Sequence, residues 1–225
     1  MHLQRLVNNV NISPLMEQET KYTIKDSDTA DRIWDAILSG KYGDPKGAES
    51  VDMEGAYFDT PSRILRNNNI ALRVRCEGSI CFATLKWGGS ETVMGLHEHQ
   101  EVNIPIETDS CLIAPSAEIF EDSIDGRKMS DLVGDEELEL LFVSKVNRRR
   151  AKLRYGQSVV EIAIDRGFVE AGDKQEAISE MEIELYAGEL SDVLKLTQTI
   201  ADKYGLEAEN RSKYARDIAL LGETE

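Results

Sequence analysis

Apolar and polar residues alternate along much of the chain, a pattern typical of β-strands, whose successive side chains point to opposite faces. In "MEQETKYTI", which runs from Met16 to Ile24, one set of alternate positions holds Glu17, Glu19 and Lys21. The same period recurs in "ALRVR", "CFATLKW", "LHEHQEVNI", "NRRRAKLRY", "VVEIAID" and "SEMEIELY". We therefore predict about eight strands, most of them joined by hairpin-length turns.

A helical period interrupts the strands in a few places. "SDTADRIWDAILSG" predicts a helix that is capped by Ser27 or Asp28 and ends at Gly40, and "ELSDVLKLTQTIADKYG" predicts a second amphipathic helix. The acidic segment from Ser116 to Glu139 is expected to contain helix, and "SKYARDIALL" predicts a short final helix. Together these elements predict an α+β fold with an antiparallel sheet.

The charges on the alternating strands are sorted by sign. Bases occupy one face of "NRRRAKLRY" at positions 148, 150, 152 and 154, and acids occupy one face of "SEMEIELY" at positions 180, 182 and 184. Water-facing strands would more often mix the signs, because adjacent like charges repel each other. A row of acids suits a hard divalent cation, and a row of bases suits a polyanion such as a polyphosphate. The alternative is a sheet whose charged face simply contacts water.

The amino-acid composition limits the kinds of partner that the protein is expected to bind. The 225 residues carry a formal net charge of −16, which argues against general affinity for nucleic acid or for an anionic membrane. No apolar stretch is long enough to span a bilayer, and "MHLQRLVNNV" lacks the layout of a signal peptide. We therefore expect a cytoplasmic protein.

Three cysteines are present in no metal-binding spacing. Cys76 and Cys81 flank the turn-like "EGSI" and could lie near each other in a hairpin, whereas Cys111 is remote in sequence. For a cytoplasmic chain the expectation is that all three are reduced, partly buried thiols.

If the sheet closes, its charged faces can enclose a ligand, because an eight-stranded barrel has room for one small molecule. The ordered motifs "EQETK", "YFDTP", "ALRVR", "TLK", "EIAIDRG", "EMEIEL" and a late "SK" resemble the CYTH family, also called triphosphate tunnel metalloenzymes. The resemblance implies a closed eight-stranded antiparallel β-barrel, a triphosphate tunnel, with peripheral helices. It also implies one domain over residues 1–225 with a core of about 16–221.

The resemblance implies roles for individual residues. Three acids would bind Mg²⁺ or Mn²⁺: Glu17, Glu19 and Glu184. Eight bases would bind the phosphates: Lys21, Arg73, Arg75, Lys86, Arg148, Arg150, Lys152 and Lys213. Four residues would be catalytic: Asp165, Glu180 and Glu182, which could orient water or hold a second metal, and Lys21, which also binds phosphate. The roles of His97, His99 and Glu101 stay open, Glu161 and Arg154 are weaker candidates, and Asp59 with Thr60 is expected to close a corner structurally.

The implied activity is metal-dependent hydrolysis of inorganic tripolyphosphate, a small-molecule substrate. Thiamine triphosphatase and class IV adenylate cyclase are alternatives within the same resemblance. A polyphosphate-binding module without catalysis is a further alternative, although anion binding alone gains little from buried carboxylates. The sequence does not indicate an oligomeric state.

Overall fold

A computed structural model describes residues 15–89, 94–120, 124 and 128–211. In these residues nine strands form one sheet in the order β5-β4-β3-β2-β6-β7-β8-β1-β9, and an additional β5–β1 pairing closes it into an antiparallel barrel. The predicted α+β barrel is therefore confirmed, with one short extra strand.

The strands are bounded as follows: β1 Leu15–Thr23, β2 Lys46–Asp59, β3 Ile70–Glu77, β4 Ile80–Trp87, β5 Leu96–Ile106, β6 Glu139–Tyr155, β7 Ser158–Ala171, β8 Lys174–Ala187 and β9 Glu207–Ala208. The helices are α1 Ser27–Leu38, α2 Ile64–Asn67, α3 Met129–Val133 and α4 Leu190–Tyr204, with a 3-10 turn at Ala117–Phe120. In the described part of the chain, no helix has the length and apolar character needed to cross a membrane.

The chain divides into two compact units, each built from segments that are separate in sequence. Unit 1 comprises Met1–Met16, Glu54–Gly89 and His99–Val143, and unit 2 comprises Glu17–Met53, Ser90–Glu98 and Ser144–Glu225. The expectation of a single domain over residues 1–225 stays a prediction.

Unit 1 has its apolar core on one face of the β3–β4–β5 strands. Leu72, Val74 and Leu85 are fully buried there and pack with Phe120 and Met129 from the helical segments. The corner after β2 is held by Asp59, whose carboxylate accepts hydrogen bonds from the backbone N–H groups of Thr60, Leu65 and Arg66. The predicted structural role of Asp59 is therefore confirmed.

Unit 2 has its apolar core under α1 and α4. Ile183 of β8 and Ile162 of β7 pack there against Ile33, Leu196 and Ile200. Since neighbouring positions on β7 and β8 point the other way, the acids of these strands lie on the opposite face. The two-residue alternation thus separates an apolar layer from a charged one.

Three predictions about helices can be compared with the structure. The N-cap of α1 is Asp26, whose side chain accepts from the Thr29 N–H at 2.7 Å, because Ser27 and Asp28 are already helical. The expectation of helix in the segment from Ser116 to Glu139 is confirmed, because its described residues include the 3-10 turn and α3. The predicted final helix lies outside the described residues.

The prediction of three reduced thiols is wrong for two of them. Cys76 and Cys81 form a disulfide, and Cys111 is a buried thiol outside the disulfide. The tight β3–β4 hairpin places Cys76 directly opposite Cys81 in the strand register, so the two side chains are adjacent.

Candidate active site

Strand register in unit 2 assembles three rows of side chains on the charged face. Glu19 of β1, Glu184 of β8 and Glu161 of β7 form the first row. In the second row Lys21 lies opposite Glu182. The third row consists of Thr23, Glu180 and Asp165. The like charges of "EQETK" therefore face further acids on the neighbouring strand, and a single lysine lies among them.

This charged face is buried. The exposed fraction is 0% for Asp165, 1% for Glu180 and 6% for both Glu19 and Glu182, and Lys21 is 4% exposed. A charged face in contact with water would leave these side chains largely exposed, so the interpretation as a solvated sheet is excluded for unit 2. Buried charges are costly unless they are paired or bind a ligand.

Arg148 of β6 is the main internal partner of these acids. Its Nε donates to Asp165 Oδ1 at 2.7 Å, and its Nη2 donates to Asp165 Oδ2 at 2.6 Å and also to Glu182 Oε2. Burial lowers the pKa of Arg148, but Asp165 and Glu182 raise it more, so that its net pKa lies above the ordinary value. Arg148 is therefore a fixed cation inside this group.

Lys21 is the second base of the group. Its Nζ lies 3.2 Å from Glu182 Oε1 and 3.4 Å from Glu19 Oε1. We define the acidic cluster as these two bases with five buried acids: Glu19, Glu161, Asp165, Glu180 and Glu182. With every group ionised, the acidic cluster keeps an excess of negative charge.

Three acids of the acidic cluster meet the geometric requirement for a metal centre. Asp165, Glu180 and Glu182 each offer a carboxylate oxygen, and these oxygens all lie within 4.8 Å of one another. Among the described residues, no other group of three potential metal ligands lies so close together. Carboxylate oxygens are the donors that Mg²⁺ and Mn²⁺ prefer, and the excess negative charge fits a cation, so the donor set fits the metal implied by the sequence.

Unit 1 carries a second charged group with the opposite balance. Lys86 Nζ lies 2.6 Å from Glu101 Oε2, and Glu101 also accepts a hydrogen bond from Asn103. Burial raises the pKa of Glu101, but Lys86 and Arg73 lower it more, so the carboxylate stays ionised well below its usual range. We define the basic cluster as Arg73, Arg75, Lys86 and Glu101.

Arg75 of the basic cluster also pairs with Glu77 at 3.2 Å. The predicted binding residue Arg150 pairs with Glu49 at 2.7 Å. Lys152 is exposed, and its Nζ lies 3.7 Å from the centre of the Tyr186 ring.

All three predicted metal ligands lie outside the converging group, and Glu19, although buried, is not one of its members. Glu17 is half-buried on β1, and Glu184 is half-buried between Glu19 and Glu161 in the first row. Lys213 lies outside the described residues. These assignments stay predictions.

Two features of the site were missed or left open by the sequence. His97, which is 2% exposed, bonds through Nε2 to the Glu209 carbonyl oxygen at 2.8 Å. Glu101 is the internal counter-charge of the basic cluster. No sequence signal links His97 to a residue 112 positions away, whereas alternation on β5 does place Glu101 on the charged face.

Comparison with solved structures shows the same fold. A protein from Hippeastrum, described as an adenylyl cyclase candidate with a dominant triphosphatase activity, superposes with a TM-score of 0.64 at 22% identity, covering 93% of this chain and 97% of that one. A protein from Bacillus halodurans, described as an adenylate cyclase candidate, gives a TM-score of 0.56 at 19% identity, covering 88% and 95%.

Comparison with characterised sequences gives a more similar relative. The inorganic triphosphatase of Haemophilus influenzae is 28% identical over 173 residues, which is 76% of this chain. The chain spans about half the length of that relative, because the match covers 47% of it. The model of the CYTH domain matches residues 15–216, nearly the whole chain. The chain therefore belongs to the CYTH domain family.

Proposed function

We propose that this protein is a divalent-metal-dependent triphosphatase that hydrolyses inorganic tripolyphosphate to pyrophosphate and phosphate. The observation that carries the proposal is the buried acidic cluster, in which three carboxylates converge within 4.8 Å beside Arg148. Binding an anion alone would not require buried carboxylates, whereas phosphoryl transfer with a metal does. The 28% identity to the inorganic triphosphatase of Haemophilus influenzae supports the same substrate.

The metal would be held by carboxylates of the acidic cluster. Asp165, Glu180 and Glu182 are the first candidates because their oxygens converge. Glu19 and Glu184, which are opposite each other in the first row, are candidates for a second ion, with Glu17 beside them on β1. Once bound, the metal supplies charge neutralisation at the phosphoryl group.

Lys21 and Arg148 have distinct roles in this proposal. Arg148 is held by Asp165 and Glu182, so it fixes the orientation of these carboxylates in addition to any phosphate contact. Lys21 contacts its two acids at 3.2 and 3.4 Å, which are looser contacts, and its ammonium can turn toward a phosphate oxygen. Lys21 would then stabilise the charge of the transferring group.

The basic cluster would hold further phosphate oxygens. The three bases Arg73, Arg75 and Lys86 outnumber the two acids that pair with them, Glu101 and Glu77, and guanidinium groups suit the paired oxygens of phosphate. Arg150, Lys152 and Lys213 complete the proposed set of phosphate ligands. A carboxylate of the acidic cluster would orient the attacking water and accept its proton at an oxygen that is not engaged by Arg148.

The test is phosphate release from tripolyphosphate, thiamine triphosphate and ATP, each with Mg²⁺, Mn²⁺ or a chelator, with a parallel assay for cyclic AMP. We expect tripolyphosphate to be the best substrate and the chelator to abolish its turnover. Formation of cyclic AMP would show that the reaction is cyclisation of ATP and not hydrolysis. Tight tripolyphosphate binding without turnover would leave a binding module and refute the proposed hydrolysis.

A further inference from the structure

The backbone of Lys21 lies at a junction between two segments of unit 2. Its N–H donates to the Gly95 carbonyl oxygen at 2.8 Å, just before β5 begins. Its carbonyl oxygen accepts from the Glu209 N–H at 2.9 Å, just after β9 ends. One residue of β1 is therefore fixed by two segments that come from distant parts of the sequence.

Direct bonds join these two segments to each other. The Gly95 N–H donates to Asn210 Oδ1 at 2.9 Å, and His97 Nε2 bonds to the Glu209 carbonyl oxygen at 2.8 Å. Lys21, Gly95, His97 and Glu209 thus form a closed ring of contacts, which we call the Lys21 clamp. Opening any one contact of the clamp would loosen the position of Lys21.

Glycine is required at position 95 of the clamp. Its φ of +73° lies in the left-handed region, and a Cβ atom there would lie 2.5 Å from the Lys21 carbonyl oxygen and 3.1 Å from the Tyr22 ring. Any side chain would therefore push β1 away from the start of β5. The close approach explains how the two segments can both reach Lys21.

His97 acts in the clamp as a neutral hydrogen-bond donor. Burial and the nearby Lys21 charge lower the pKa of His97, against the raising effect of its bond to Glu209 and of the Glu19 and Glu182 charges. A neutral imidazole has one N–H, and a carbonyl oxygen can only accept, so the proton is on Nε2. The imidazole is therefore the donor that ties β5 to the segment after β9.

We propose that His97 is a positioning residue that holds Lys21 in the geometry required for turnover, by tying Gly95 to Glu209 on either side of the Lys21 backbone. The proposal rests on the function proposed above, in which Lys21 stabilises the transferring phosphoryl group. His97 itself contacts neither metal nor substrate in this role. It acts through the backbone of Lys21, whose side chain reaches the acidic cluster.

The test compares His97→Leu, which removes the donor, with His97→Gln, whose side-chain amide can replace Nε2. The first readout is steady-state kinetics with tripolyphosphate and Mg²⁺ or Mn²⁺. We expect His97→Leu to lower kcat about tenfold with less than a threefold change in KM, because the loss of one hydrogen bond reduces the population of the closed clamp by about this factor. His97→Gln should restore most of the rate. His97→Asn, which is too short to reach Glu209, replaces His97→Leu if the latter does not fold.

The second readout is amide hydrogen exchange at Lys21 and Glu209, whose N–H groups are both donors in the clamp. It does not depend on activity. We expect at least tenfold faster exchange at both amides in His97→Leu and wild-type exchange in His97→Gln. These amides report on the clamp even if the wild-type protein hydrolyses no triphosphate, in which case the proposed function fails separately.

Two results would overturn the proposal. Unchanged exchange in His97→Leu would show that His97 does not hold the clamp. Faster exchange with an unchanged kcat, in a wild-type protein that hydrolyses tripolyphosphate, would show that the clamp is structural and does not position Lys21 for turnover.

Discussion

The acidic cluster of unit 2 and the basic cluster of unit 1 are built by the same strand alternation, yet they have opposite charge balances. The acidic cluster holds five buried acids against Lys21 and Arg148, and the basic cluster holds three bases against Glu101, with Glu77 as a further acid beside Arg75. An excess of buried acid favours a cation, and an excess of base favours an anion. The difference assigns cation binding to the acidic cluster and anion binding to the basic cluster in the proposed function.

Each cluster also contains its own counter-charge. Arg148 binds two acids of the acidic cluster, and Glu101 binds Lys86 of the basic cluster. These internal partners reduce the repulsion between like charges before any ligand is bound. The following four predictions separate the two clusters, in order of decreasing effect.

The largest effect is expected for Glu182→Gln in the acidic cluster. The change removes a carboxylate that contacts both Arg148 and Lys21 and belongs to the converging acids, so turnover of tripolyphosphate should fall about 100-fold or more. Calorimetric titration should show weakened Mn²⁺ binding. Glu170→Gln, which disrupts an exposed pair with Lys145, is the control and should change turnover less than twofold. Full activity in Glu182→Gln would exclude this acid from the site.

A smaller effect is expected for Lys86→Met in the basic cluster. Loss of one charged phosphate ligand should raise the KM for tripolyphosphate about tenfold and leave Mn²⁺ binding unchanged. Lys86→Met combined with Glu101→Gln removes the unpaired carboxylate and should recover stability without recovering KM. Lys145→Met is the matched exposed control. An unchanged KM in Lys86→Met would place that side chain outside the phosphate site.

The pKa of Glu101 leads to a prediction about pH. Its pKa is lowered in the folded protein, so its contribution to stability is present above the unfolded-state pKa and is lost as the pH falls through the folded-state pKa. Urea unfolding at pH 7, 4 and 3 should show that Lys86→Met destabilises the protein at pH 7 and that the difference from wild type narrows once the pH falls below the unfolded-state pKa. A constant difference across this range would contradict the assigned role of Lys86 in ionising Glu101.

The smallest effect is expected from the disulfide of unit 1. The bond joins Cys76 to Cys81, five residues apart, and closing so short a loop contributes about 2 kcal/mol or less to the free energy of unfolding. Reduction of the wild-type protein should lower its urea midpoint slightly and leave KM unchanged. Cys76→Ala/Cys81→Ala should behave like the reduced protein. Unfolding upon reduction would show that the β3–β4 hairpin depends on the bond.

The strands and their charged faces were predictable because alternation is a local property of the sequence. Glu19, Lys21, Asp165, Glu180 and Glu182 were all candidates on charged strand faces, and the structure buries them together on one face, while their roles stay predictions. The family resemblance rested on ordered motifs of the same strands. Closure of the sheet could be expected from that resemblance, but alternation alone does not determine it.

The pairing of individual charges was not predictable. Arg148 and Arg150 share one face of β6, yet Arg148 binds two buried acids, whereas Arg150 pairs with Glu49. The difference depends on which neighbouring strand each residue faces, and that is set by register over distances of up to about one hundred residues. The thiol prediction failed for a related reason, since the hairpin register brings Cys76 against Cys81.

The register of β7 with β8 limits which insertions and deletions the coding sequence can tolerate. Asp165 lies opposite Glu180 and Ile164 lies opposite Met181, so acids and core residues alternate along both strands. Inserting or deleting one codon within either strand would move every acid beyond it into the apolar core, and the core residues into the acidic cluster. A point mutation in these strands changes one side chain at a time, whereas changes in length should be tolerated only in the turns, such as the one at Gly172 between Ala171 and Lys174.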